Sequence, residues 1–101
     1  MYVIHDSKAN KYNAPFFLLN DNVALRMFSD ILRDPSTDIY HHPTDFALFK
    51  IGDYDDGNAE LNTIEPLIIS RAHELKAMLE IKEKVSRVPE DIDQNDFDGS
   101  D

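Results

Sequence analysis

Cysteine is absent from the chain, and only three of its 101 residues are glycine. Without cysteine there can be no disulfide, no thiol nucleophile and no thiolate metal site. That suits a reducing compartment. The glycines, Gly52, Gly57 and Gly99, form neither a phosphate-cradling loop nor a Gly-x-Ser-x-Gly elbow. No apolar run approaches the roughly 20 residues that a membrane helix needs. No signal-peptide pattern opens the chain, because Met1-Tyr2-Val3-Ile4 is followed at once by His5 and Asp6. The expectation is a soluble intracellular protein that is not an enzyme and needs no cofactor. Basic residues are also scarce, with ten against twenty acids, for a net charge of -10. A general duplex-DNA binder normally needs a basic footprint, so that class is disfavoured.

Half of the net charge sits at the end of the chain. Residues 86–101 hold Glu90, Asp91, Asp93, Asp96, Asp98 and Asp101 against Arg87 alone. So acidic a segment with so few apolar residues is expected to be disordered. The length fits a single domain. The expected division is one folded domain over 1–88, closed by Pro89, and a disordered acidic tail over 89–101.

The best-marked element is a helix. Val23, Met27 and Ile31, with Ala24, Phe28 and Leu32, recur at helical spacing, while Arg26, Ser29, Asp30 and Arg33 fill the other face. Asn20 or Asp21 can cap its start. Asp34-Pro35 stops it, because the residue before a proline avoids the α region. The helix is expected over Asp21 to Arg33, followed by a polar connection at Ser36 to Asp38 and an extended His42 before Pro43.

From Asp45 the period changes to two, and both sides of Phe46 to Asp53 carry apolar residues, as in a central strand. Asp55-Asp56-Gly57-Asn58 is a hairpin signal, with Asp-Gly and Gly-Asn able to supply positive φ. Residues 59–62 read as the return strand. Thr63, Glu65 and Pro66 interrupt it, and Leu67-Ile68-Ile69 reads as a separate buried strand. Ser70 can cap a second helix through Ala72, Leu75, Met78, Leu79 and Val85. Upstream, Met1 to His5 and Tyr12 to Leu19 are strand candidates, the latter an edge strand because of Pro15. The predicted class is α+β: a small, mainly antiparallel sheet, one central amphipathic helix and a second C-terminal helix. Met27, Phe28, Ile31, Phe49, Ile51 and Ile68 are the expected core. A two-sided apolar sheet with a proline-broken edge invites self-pairing, so a homo-oligomer is expected.

Candidate sites are few. His41 and His42 tempt a zinc reading, but adjacent residues in an extended segment point to opposite faces, and no HExxH spacing exists. Asp53, Asp55, Asp56 and Glu60 cluster around Gly57 without the later glutamate of a calcium loop. No metal site is expected. Strand aromatics beside cations suit single-stranded nucleic acid, where bases stack on rings and cations follow the phosphates. On that basis the candidate binding residues are Lys8, Lys11, Tyr12, Arg26, Arg33, Tyr40, Lys50 and Tyr54. The competing reading makes most aromatics core.

The segments P-F-F-L-L-N-D-N-V-A-L-R-M-F-S-D and I-Y-H-H-P-T-D-F-A-L-F-K-I-G-D-Y-D-D resemble the small nonstructural protein of gokushoviruses, microviruses with circular single-stranded DNA genomes. The most telling pieces are Asn20-Asp21 leading to Ala24-x-Arg26-x-Phe28, and His42-Pro43-x-Asp45-Phe46 leading to Phe49-x-Ile51-Gly52. The resemblance runs from Tyr2 to about Leu75. It implies a nonstructural role in replication or packaging of a single-stranded DNA genome in the host cytoplasm, by binding single-stranded DNA. The alternative it leaves open is a protein-interaction adaptor for phage or host replication and packaging proteins. No catalytic residues come with it.

Overall fold

The computed structural model of the protein describes residues 1–83. Strand β1 (Tyr2–Asp6) turns back into the two-residue β2 (Lys11–Tyr12). Helix α1 (Asp21–Leu32), a four-residue helix α2 (Asp38–His41) and a 3-10 turn (Pro43–Asp45) follow. Strands β3 (Phe46–Asp55) and β4 (Glu60–Arg71) form a long hairpin. Helix α3 begins at residue 72, directly after β4, and is described to residue 83. The four strands form one sheet in the order β2-β1-β3-β4, antiparallel at every step. This is the α+β class expected, with the central amphipathic helix and the C-terminal helix in place. The expectations for the acidic tail, for Val85 and for Pro89 fall outside the described residues.

Register decides which side chains share a face. Tyr2 pairs with Lys50, Val3 with Phe49, Ile4 with Leu48 and His5 with Ala47. Alternation then puts Tyr2, Ile4 and Leu48 on one face and Val3, His5 and Phe49 on the other. The first face is the core. Ala24, Phe28 and Leu32 of α1, Ile39 of α2, and Ala72 and Leu75 of α3 join Tyr2, Ile4 and Leu48 in one buried cluster. The three helices therefore cover one face of the sheet; the other is more open, although Val3 on it is buried. Phe28 and Leu48 are fully sealed.

The helix termini follow from side-chain chemistry. Asn20 is extended and its Oδ1 accepts from Val23 N at 2.9 Å, so Asn20 is the cap of α1 and Asp21 occupies the first turn. Thr37 joins two helices. Its hydroxyl shares its one hydrogen between Ile31 O and Asp34 O and accepts from Tyr40 N, which ties the two ends of the gap together. The expected polar connection is present at Ser36 and Thr37, but Asp38 begins helix α2, which takes the place of the expected strand entry at His41 and His42. Four residues are too few to leave a periodic signature.

Several expectations are corrected. Only Lys11–Tyr12 and a single bridge from Phe16 to Tyr2 represent the Tyr12 to Leu19 strand, because Pro15 cannot donate to a ladder. The two strands expected after the hairpin are one strand, Glu60–Arg71. Thr63, Glu65 and Pro66 do not break it. Lys50 pairs with Leu67 and Gly52 with Thr63, so Ile64, Glu65 and Pro66 make an excursion opposite Ile51. An irregularity is where a strand tolerates a residue without an N–H. Ser70 remains in the strand rather than capping α3. Ile68, expected in the core, is 38% exposed, because it pairs with Phe49 on the more open face. Met27, Ile31, Phe49 and Ile51 are half-buried.

Gly52 is required where β3 meets this excursion. Its φ is +157°, and an added Cβ would lie 2.3 Å from Asn62 O. The two hairpin loops share a different device. Asp6 Oδ1 accepts from Lys8 N at 3.0 Å, and Asp55 Oδ1 accepts from Gly57 N at 2.9 Å. Four residues after each aspartate the backbone enters the left-handed region, at Asn10 (φ 53°) and at Ala59 (φ 63°). The expected hairpin at Asp55 to Asn58 is present, but its positive φ falls on Ala59 rather than on Gly57 or Asn58.

Candidate nucleic-acid interface

The more open face of the sheet gathers three rings. His5 and Tyr12 sit opposite each other on β1 and β2, with ring centroids 4.4 Å apart. Phe49 of β3 stands edge-on to both, 6.3 Å from His5 and 6.2 Å from Tyr12. Tyr12 is half-exposed, and His5 and Phe49 are partly so. Arg71 pairs with Ala47 on the same face, and a shallow depression of 130 Å³ is lined by His5, Phe49 and Arg71 among others. The Arg71 Nε lies 3.8 Å from Glu74 Oε2 in a half-exposed ion pair. This arrangement offers ring faces of different tilt and a cation beside them. It can stack planar groups and neutralise an anion, and it contains no nucleophile–base pair.

A larger cleft of 810 Å³ opens on the other side, where α1 begins beside the hairpin arm. Tyr2 OH donates to Asp21 Oδ1 at 2.6 Å. The Lys50 ammonium lies between Asp53 Oδ1 at 3.4 Å and Asp21 Oδ1 at 3.8 Å. Phe17 and Tyr54 meet edge to face at 5.6 Å on its wall. Burial, and then the hydrogen bond to Asp21, push the Tyr2 phenol up to about 12. Burial also lowers the Met1 ammonium below its usual value while it donates to Gly52 O at 2.8 Å. Asp21, Asp53 and Asp56 outnumber Lys50 and the Met1 ammonium here, so the cleft is acidic on balance.

The eight residues expected to bind do not form one surface. Lys50 and Tyr54 line the acidic cleft, with Lys50 committed to carboxylates. Lys8 lies on the β1–β2 loop, and Lys11 is the neighbour of Tyr12 at the sheet edge. Tyr12 belongs to the open-face ring cluster. Arg26 is exposed on α1. Arg33 and Tyr40 border a separate depression near α3 that Leu79 and Glu83 also line. His5, Phe49 and Arg71 were outside the expected set, although Phe49 and Arg71 stand among the strand aromatics and cations of the sequence. Their grouping depends on the β1–β3 and β3–β4 registers, which no local pattern prints.

His41 and His42 are not a strand entry. His41 ends α2, its Nε2 lies 2.8 Å from Pro35 O, and the two rings are exposed with centroids 6.5 Å apart. Among the described residues no group of three or more His, Asp or Glu side chains converges as a metal site, and no helix is long and apolar enough to cross a membrane.

No curated protein and no solved structure matches the chain. A family model does: it is described as Phage ORF5 protein and matches residues 1–75, which include β1 to β4, the open-face rings and the start of α3. The chain is a member of this phage protein family.

Proposed function

We propose that the protein is a nonstructural phage protein, of the gokushovirus type, that binds single-stranded DNA during genome replication or packaging, and does so through the open face of the sheet. The observation that carries this reading is the His5, Tyr12 and Phe49 cluster with Arg71 beside it, on the more open face of the sheet. Bases of any identity stack on such rings, and a guanidinium meets the phosphate between them. Lys8 and Lys11, at the same edge as Tyr12, extend the cationic path. A duplex hides its base faces and would meet a chain of net charge -10, so single strands are preferred. The alternative, an adaptor for phage or host proteins that does not touch DNA, is favoured by the acidic cleft.

Fluorescence anisotropy with short single-stranded and duplex oligonucleotides over a salt series tests the reading. Single strands should bind more tightly than duplex, and more weakly as salt rises. Tyr12→Ala should weaken binding about 5- to 150-fold, the range for loss of one base stack. Removing residues 89–101 takes six acids away, changes the net charge from -10 to -4, and should tighten binding at low salt. Absence of binding by either the full or the shortened chain leaves the adaptor reading.

A further inference from the structure

The sheet has two unequal edges. One is β2, two residues long and followed by Pro15. The other is β4, twelve residues long with a neighbour on one side only. Every side chain from Leu61 to Ile68 is exposed, so nothing described covers that stretch. Leu61 is 57% exposed, Ile64 44% and Leu67 54%. On either side of the Ile64 to Pro66 excursion, where Pro66 has no N–H to give, this open edge is a template for another strand.

We propose that the occupant of this edge is a second copy of the chain, with β4 pairing antiparallel to β4 of the partner subunit. The charge along the strand selects both partner and direction. Its hairpin end is acidic, with Glu60 next to Asp53, Asp55 and Asp56, and its other end carries Arg71. Glu60 pairs with Asp55 and Arg71 with Ala47, which sets the two charges at opposite ends of the strand. Antiparallel self-pairing brings Glu60 towards Arg71 of the partner subunit, twice per dimer. Parallel pairing would set acid against acid. The association is isologous and closes at two subunits.

The two-fold axis of such a dimer stands perpendicular to the sheet. Both open faces therefore look the same way across one eight-stranded sheet. If the proposed DNA-binding reading holds, the dimer presents two ring clusters to one strand. The dimer itself does not depend on that reading.

The test uses the full chain and reads mass by sedimentation equilibrium, without DNA, so its outcome is separate from the binding assay. The wild-type chain should be a dimer at high micromolar concentration. Ile64→Lys, an exposed change outside the core, should weaken the dimer at least tenfold while circular dichroism stays native. Glu60→Arg and Arg71→Glu alone should each weaken it, and the double exchange should restore it. A monomeric wild type, or a dimer indifferent to Ile64→Lys and to the charge exchange, would overturn the proposal.

Discussion

Among the described residues, Ala59 is the one most at odds with its backbone. At φ 63° its Cβ is held in the left-handed region, which costs an L-residue about 1 to 2 kcal/mol. Glycine removes that cost but adds about 0.5 to 1 kcal/mol of chain entropy to the unfolded state. The net gain expected for Ala59→Gly is about 0.5 to 1 kcal/mol. For a domain of this size that raises the thermal midpoint by roughly 2 to 8 °C. Asparagine tolerates the same region, as Asn10 does at φ 53° in the sister loop, so Ala59→Asn should also stabilise. The reverse change, Asn10→Ala, should cost about as much as Ala59→Gly gains. Gly57→Ala is the control. Gly57 is not at positive φ, and its added Cβ would meet only the Asp55 side chain at 3.2 Å. Its effect should stay within about 0.5 kcal/mol. Urea denaturation followed by circular dichroism measures all four variants. If Ala59→Gly leaves the midpoint unchanged or lowers it, or if Gly57→Ala proves the costlier change, the account of this loop is wrong.

Three further outcomes are expected. Gly52→Ala should cost about 2 kcal/mol or more, since its Cβ would fall 2.3 Å from a backbone oxygen of β4; urea midpoints decide. Phe28→Ala, at a fully sealed position, should cost roughly 3 to 5 kcal/mol, and a loss below 1 kcal/mol would mean that the α1 packing is misplaced. Tyr2 should ionise late, towards about pH 12, in an ultraviolet pH titration. Its folded pKa lies above the unfolded value of 10, so its contribution is complete below pH 10 and is lost as pH rises towards about 12. Tyr2→Phe should abolish that alkaline loss.

Local patterns made α1 and the core of β3 readable. Both have a clear hydrophobic period, and both are bounded by residues with one structural use, Asn20 and Asp34-Pro35 for the helix and Gly57 for the strand. Helix α2 was hidden because one turn leaves no period. The continuity of β4 was hidden because Pro66 normally ends a strand, and only the partner residue Ile51 shows that an excursion absorbs it. The open-face site was the least legible part. Tyr12 could be picked as an exposed ring, but the place of Phe49 beside it is a property of two strand registers. Lys50 and Tyr54 drew notice as a cation beside a ring. The fold instead turns Lys50 towards its neighbour Asp53 and towards Asp21, far off in the chain, and sets Tyr54 against Phe17.

The excursion at Ile64 to Pro66 also divides the β3–β4 ladder in time. Rungs from Ala47 to Lys50 are backed by β1 and by the helices, and Gly52 O still accepts from the Met1 ammonium, whereas rungs from Asp53 to Asp55 have only β4 as a strand partner and no covering layer over Leu61 and Asn62. The outer rungs can open without disturbing the inner ones, since three residues without regular pairing already separate them. Amide hydrogens of 53–55 and 60–62 should then exchange through a low-energy local opening, while those of 47–50 wait for global unfolding. The hairpin arm is in this sense a second cooperative unit attached to the first through the backbone of Gly52.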